Sequence, residues 1–140
     1  MQSIDLIGST WHDFAPQLRQ FADDPANGVV AMQMHGHRIA LDFGSSRVYV
    51  DRREDARNEY EADEFAVFEA RLGSPCFHGI EFSSDRAARA VLLLIADDER
   101  FLVDDGYGAV VSGPEFVQLL RQFPEWDWRR ERRPFPYPKA

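Results

Sequence analysis

Three short segments rich in β-forming residues follow one another between residues 29 and 50, and glycines separate them. The segments are residues 29–35, 37–43 and 47–50. Gly36 and residues 44–46 occupy the turn positions between them, as in hairpins. In the third segment, Val48 and Val50 alternate with polar residues, as in a strand with one buried face. The pattern therefore predicts an antiparallel meander.

Four helices are predicted from apolar residues spaced three or four positions apart. The apolar sets are Trp11, Phe14, Leu18 and Phe21; Phe65, Phe68 and Leu72; residues 87–96; and Phe116, Leu119, Leu120 and Phe123. Pro16 places the start of the first helix near Ala15, and Gly73 fits the position just past the end of the second. Residues 91–95 would also suit a buried strand, but residues 84–89 favour a helix.

Three more strands are predicted at residues 77–82, 101–103 and 109–111, the last two forming a hairpin. These elements predict a single α+β domain over residues 1–124, with an antiparallel sheet of about five or six strands and helices packed against it. A chain of 140 residues is long enough for one such core. Residues 125–140, rich in Trp, Arg and Pro, are expected as a tail that packs on the domain through Trp126 and Trp128 or trails from it.

Charge is distributed unevenly along the chain. Residues 1–124 carry 21 acidic side chains and 11 arginines, a net charge of −10, whereas residues 125–140 carry a net charge of +2. Residues 51–64 and 97–105 hold most of the excess, with a net charge of −4 each. Phosphates and anionic lipids repel an acidic protein. We therefore expect a basic protein as partner, and neither nucleic acid nor a membrane.

The amino-acid composition indicates the type of source organism and the cellular compartment. Arginine outnumbers lysine by 15 to one, which is typical of a GC-rich genome and favours a bacterial source. The single cysteine, Cys76, allows no internal disulfide and fits a reducing compartment. The first ten residues lack the pattern of a secretory signal. We expect a cytoplasmic protein.

The histidines offer a candidate metal site. His35 and His37 would share one face of a strand, and imidazole is a common metal ligand. His78, with Asp42 or Cys76, would have to complete the set. Gly36 is expected at a hairpin turn, however, which favours two turn histidines over two ligands. The sequence thus predicts no metal ligand and no cofactor, with His35, His37 and His78 as the alternative.

Other catalytic patterns are incomplete. Cys76 and His78 lie two residues apart on one predicted strand, where an imidazole could activate a thiol, but a lone cysteine is more often simply buried. The paired carboxylates at residues 23–24, 97–98 and 104–105 fall at expected caps and turns. No Walker A, G-x-S-x-G or H-E-x-x-H motif is present. We therefore predict no catalytic residue.

The two acidic segments also contain aromatic residues. Charge steers the encounter of two proteins, and aromatic side chains supply anchors for it. This combination predicts a surface that binds a basic protein. The predicted partner-binding residues are Glu59, Tyr60, Glu61, Asp63, Glu64, Asp98, Asp104, Asp105 and Tyr107.

Residues 101–108, followed by a strand and by residues 114–117, resemble a pattern found in small bacterial immunity proteins, which neutralise polymorphic toxins of interbacterial competition. The chain is also similar to them in size, acidity and α+β character. The resemblance implies a cytoplasmic, non-catalytic protein that binds a toxin tightly and blocks its active site. We expect such an immunity protein; the alternatives are a small metal-binding protein or enzyme and a regulatory or scaffold subunit.

Overall fold

Residues 2–105 and 110–124 are described by the computed structural model of the chain, and they form one sheet with helices on both sides. The strands are β1 (Gln2–Gly8), β2 (Ala31–His35), β3 (Arg38–Asp42), β4 (Arg47–Arg52), β5 (Cys76–Phe82), β6 (Leu102–Asp104) and β7 (Val110–Ser112). The helices are α1 (Ala15–Asp23), α2 (Ala62–Leu72), α3 (Asp85–Ile95) and α4 (Gly113–Gln122), with 3-10 helices at Pro25–Asn27 and Ala56–Glu59. The predicted α+β class is confirmed.

Neighbouring strands are antiparallel throughout the sheet, in the order β2-β3-β4-β5-β1-β6-β7. The seven strands exceed the expected five or six because β1 is an additional strand near the start of the chain. It pairs with β5 from Gln2↔Phe82 to Gly8↔Cys76 and with β6 on its other side. An interior strand therefore comes from a segment for which the sequence pattern predicted no strand.

The turn between β2 and β3 consists of Gly36 and His37. Gly36 has φ of 60°, a conformation that residues with a side chain rarely adopt, and glycine at this first turn position is typical of a type II′ turn. Because the chain reverses here, His35 is the last residue of β2 and His37 belongs to no strand. The predicted turn at Gly36 is therefore confirmed, and the alternative in which His35 and His37 share one strand face is wrong.

The helix predictions hold at their boundaries. α1 begins at Ala15 with Pro16 in its first turn, and α2 ends before Gly73, whose φ is 78°. Residues 91–95 belong to helix α3 and not to a strand. The buried residues of α3 follow helical spacing: Ala87, Ala88, Val91, Leu92 and Ile95.

Side-chain alternation divides the sheet into two faces. We call the face covered by α1, α3 and α4 the core face; it includes Ile4, Leu6, Val50, Ile80 and Phe82. We call the other the α2 face; there Ile7, Phe77 and Leu102 pack against Phe65 and Phe68 of α2. Each face buries one apolar cluster, so the sheet is enclosed between two layers of helices over part of its area.

No helix among residues 2–105 and 110–124 is long and apolar enough to cross a membrane. Tyr107, and the tail of residues 125–140 with Trp126 and Trp128, lie outside the described residues.

Candidate functional site

Two of the predicted partner-binding residues, Tyr60 and Asp104, lie in contact on the α2 face. The Tyr60 hydroxyl is 2.8 Å from a carboxylate oxygen of Asp104 and 2.8 Å from one of Asp5. Asp5 and Asp104 are directly opposite each other in the β1–β6 pair. The acidic segments 51–64 and 97–105, distant in sequence, therefore meet at this hydroxyl.

Arg53 completes the same group from the end of β4. Its Nη1 lies 2.8 Å from both carboxylate oxygens of Asp5, and its Nη2 forms an ion pair with Glu59. The side chain crosses Gly79, where a Cβ atom would lie 2.6 Å from the Arg53 Cδ. Glycine at this position of β5 thus leaves the space that the arginine occupies. We call Asp5, Arg53, Glu59, Tyr60 and Asp104 the carboxylate cluster.

The protonation of the carboxylate cluster follows from its burial. Burial raises the pKa of Asp5, outweighing the opposing effect of Arg53, and the nearby charge of Asp104 raises it further. Burial and the two adjacent carboxylates also raise the pKa of Tyr60, so the phenol keeps its proton. One hydroxyl hydrogen can reach only one carboxylate at a time. Because its groups bond to one another, the cluster fastens residues 53–60 to β1 and β6.

Six carboxylates of the first acidic segment are exposed, including Glu59, which also belongs to the carboxylate cluster. We call the six exposed ones the acidic surface: Glu54, Asp55, Glu59, Glu61, Asp63 and Glu64. Glu61 and Glu64 form a capping box that begins α2, and acidic residues are favourable at a helix N-terminus. Within residues 54–64 the single basic side chain is Arg57, which lies over the Phe65 ring at 4.8 Å from its centroid.

Asp98 and Asp105 do not join the acidic surface. The carboxylate of Asp98 makes a bidentate ion pair with Arg100, at distances of 2.7–3.1 Å, and these hydrogen bonds lower its pKa. Asp105 is only 3% exposed, so its side chain is not available to a partner in this structure. Of the second acidic segment, Asp104 alone is placed beside Tyr60.

The three histidines considered as metal ligands do not all come together. His37 and His78 line one cleft, together with His12, whereas His35 does not. The described residues contain no group of three or more His, Cys, Asp or Glu side chains placed to hold a metal ion. Asp42 accepts a hydrogen bond from the Gly44 backbone N–H at 2.8 Å. Its carboxylate therefore stabilises the turn after β3.

His78 is buried on the core face with both ring nitrogens engaged. A backbone carbonyl can only accept, so Nδ1 donates to the oxygen of Leu6 at 3.2 Å. Nε2 then accepts from the backbone N–H of His12 at 3.0 Å. Burial lowers the pKa of His78 to about 4, with smaller contributions from His12 and Arg52 in the same direction. A neutral imidazole bonded in this way has no lone pair left for a metal or a proton.

Cys76 is half-buried at the start of β5. Its Sγ lies 3.7 Å from the carbonyl oxygen of Ser74, and burial raises the pKa of the thiol. A raised pKa lowers the thiolate fraction, which is the reactive form. The pairing with His78 considered from the sequence does not form, because the nitrogens of His78 bond to the backbone of Leu6 and His12.

Sequence reasoning missed Asp5, Arg53, His12 and Arg52. Asp5 carries a visible signal, since it is a charged residue between the apolar residues Ile4 and Leu6. For the arginines there is no such signal, because the charged segment 51–64 contains several equivalent residues. No protein-family model, curated protein or solved structure matches the chain.

Proposed function

We propose that the protein is a non-catalytic binding protein that docks a basic protein partner on the acidic surface. The observation that carries the proposal is the concentration of six exposed carboxylates within residues 54–64, where Arg57 is the one basic residue; of the six, Glu59 is paired with Arg53. A concentrated negative surface accelerates encounter with a basic partner and selects against acidic competitors.

The carboxylate cluster supports this proposal by fixing the acidic surface in place. Arg53 and Tyr60 tie the segment to the sheet, and the Tyr60 ring stacks on Phe77 with centroids 5.2 Å apart. A surface that is ordered before binding loses less conformational entropy on association. In this role Tyr60 supports the surface from beneath and is not itself the anchor that meets the partner.

Helix α2 adds apolar area next to the acidic surface. Val67 is 48% exposed, and Ala66 and Ala70 are exposed beside it on the same helix. Specific interfaces combine an apolar centre with a polar rim. The outer side of α2, together with the acidic surface at its N-terminus, offers both.

The specific form that we propose is an immunity protein, acting in the cytoplasm, that neutralises a bacterial toxin by covering its active site. A toxin that acts on nucleic acid carries a basic active site, because it must bind phosphates. The acidic surface is the expected complement of such a site. A regulatory or scaffold subunit would use the same surface on a different partner.

The direct test mixes the purified protein with the product of the adjacent gene in a titration calorimeter. We expect a complex at low salt that weakens at about 150 mM salt, where charges are screened over about 8 Å. Inhibition of an activity of that product supports an immunity protein, whereas binding without inhibition supports a scaffold. No complex at micromolar concentrations at either salt rejects this partner.

Matched charge reversals test the location of the surface. Asp55→Lys with Asp63→Lys changes two residues of the acidic surface, and Asp23→Lys with Glu99→Lys makes the same change in net charge at exposed residues outside it. We expect the first pair to weaken binding by about tenfold or more, or about 1.4 kcal/mol, and the second to weaken it far less. Equal weakening would mean that net charge, and not this surface, determines binding.

A further inference from the structure

The core face changes from apolar to partly polar at one end of the sheet. One row of residues in register across β2, β3, β4, β5 and β1 is entirely apolar: Met34, Ile39, Val50, Ile80 and Ile4. Two residues further along each of the last three strands, the row reads Arg52, His78 and Leu6, with His37 in the adjacent turn. Polar side chains at core-facing positions cost stability, and such departures from a fold's own pattern are expected at functional sites.

Arg52 is half-buried and held on two sides without a carboxylate. Its guanidinium carbon lies 5.1 Å from the centroid of the Trp11 ring, and its Nη1 lies 3.4 Å from Nε2 of His37. Within residues 2–105 and 110–124, no carboxylate forms an ion pair with it. Its guanidinium is therefore not neutralised by an ion pair within the described residues, although residues 1–124 carry a net charge of −10.

Arg52 and His37 line a cleft of about 250 Å³ between the β1–α1 loop and the β2–β3 turn. Phe14, Ile39 and Val50 contribute apolar surface to it. Pockets for drug-sized ligands span about 300–1,000 Å³, so this cleft fits a smaller molecule. It combines an apolar wall with cationic and imidazole donors, as a site for an amphipathic anion does.

The hydrogen bond between Arg52 and His37 sets which groups can reach a ligand. Arginine only donates, so Nε2 of His37 is the acceptor and its neutral ring carries the proton on Nδ1. Both residues therefore present N–H donors. The planar fork of a guanidinium matches the two oxygens of a carboxylate.

We propose that this cleft binds a small carboxylate with a short apolar body. Arg52 and His37 hold the carboxylate, and the body packs against Phe14, Ile39 and Val50. Asp13 and Asp51 also line the cleft; the carboxylate of Asp51 is paired with Arg38, and the charge of Asp13 disfavours a second negative charge on the ligand. The site is thus selective for a monocarboxylate over the dianion of inorganic phosphate.

The test titrates benzoate and 4-methylpentanoate into the full-length protein, with the NMR signal of the Trp11 indole N–H as readout. Trp11 lies beside Arg52, and a Trp11→Phe variant identifies its signal among the three tryptophans. We expect a saturable shift with a dissociation constant of about 1 mM, and benzamide and inorganic phosphate at least about tenfold weaker. No saturable shift with either carboxylate up to about 10 mM overturns the proposal.

Two arginine variants locate the binding. Arg52→Gln is expected to weaken binding of both carboxylates at least about tenfold, whereas Arg57→Gln, on the α2 face, leaves it unchanged. Thermal unfolding of each variant verifies that it is folded. Equal affinity for benzamide and benzoate would indicate an apolar cavity without an anion site, and tighter binding of phosphate would reassign the ligand class; either result contradicts the proposal.

Discussion

Arg52 and Arg53 are adjacent in the sequence and have opposite surroundings. Arg53 extends over the α2 face, where it contacts the carboxylates of Asp5 and Glu59. Arg52 is on the core face, over Trp11 and beside His37, without an ion pair among the described residues. Successive residues of an extended chain point to opposite sides of a sheet, so one step along the chain separates the two environments.

The difference shows how identical side chains acquire different roles. The carboxylate cluster is closed, because its acidic, phenolic and guanidinium groups bond to one another, and we infer a stabilising role for Arg53. The cleft at Arg52 is open, because its donors lie next to a cavity. A closed group contributes to folding, and an open one is available to a ligand.

The largest expected effect is that of Arg53→Gln. This change leaves Asp5, which is 6% exposed, without its cation, and removing one partner of a buried pair costs about 3 kcal/mol. Urea unfolding measures the loss. The double variant with Asp5→Asn is expected to recover part of it, since no buried charge remains. A loss no larger than that of the exposed Arg57→Gln would show that Arg53 does not stabilise the fold.

The next largest expected effect is the pH dependence of the unfolding free energy that results from His78. Its folded pKa of about 4 lies below the ordinary value of 6.5, so the unfolded chain binds a proton first as the pH falls. Stability is therefore lost between pH 6.5 and 4, by about 3 kcal/mol over the full window. Urea unfolding of the wild type and of His78→Gln across this range isolates the effect. Parallel pH profiles of the two proteins would contradict it.

The contribution of Asp5 to stability is expected to change with pH in the opposite direction to that of His78. Its pKa is raised in the folded state, so the stability it contributes is present below pH 3.8 and is lost as the pH rises through the raised value. The difference in unfolding free energy between the wild type and Asp5→Asn should fall as the pH increases through this window. A difference that grows with pH would mean that Arg53, and not burial, governs the titration of Asp5.

Tyr60→Phe tests the bridge between the two acidic segments. It removes the hydroxyl that contacts both Asp5 and Asp104, and a lost hydrogen bond to buried polar groups costs about 1–3 kcal/mol. Chemical denaturation measures the loss. Tyr49→Phe is the matched control, since Tyr49 lies on the same face of the sheet outside the cluster. Equal losses for both variants would contradict a bridging role.

The smallest stability effect is expected for Arg52→Gln. It removes a cation–π contact with Trp11, which is worth about 0.5–1 kcal/mol at an exposed site. The matched comparison with Arg53→Gln uses the same substitution one residue away. A loss as large as that of Arg53→Gln would mean that Arg52 is also part of a stabilising network, and would remove the contrast between the two faces.

Much of the secondary structure was predictable because its signals are local. Pro16, Gly73 and the spacing of apolar residues fix the boundaries of α1 and α2 within a few positions of the chain. Even the ambiguous segment of residues 91–95 is helical, as the alanine-rich residues before it indicate. β1 was missed because its pairing partners, β5 and β6, lie far from it in the sequence.

The candidate site was predictable in its composition and not in its arrangement. Tyr60 and Asp104 were recognised as residues of acidic segments, and their contact at 2.8 Å joins positions 44 residues apart. Asp5 and Gly79 complete that arrangement, and neither belongs to an acidic segment. His35 and His37 look equivalent in the sequence, and the turn at Gly36 separates them.

Local chemistry is enough to establish the α+β class, the helix boundaries and the concentration of acidic residues, because propensity, capping and charge act over a few residues. The surroundings of Arg52 and Arg53 are determined only in the folded sheet. Which face each arginine reaches is set by the register of β4 against β5, and its neighbours come from β1, the β1–α1 loop and the β2–β3 turn. Such long-range pairing is a property of the whole packed chain, and no short stretch of sequence specifies it.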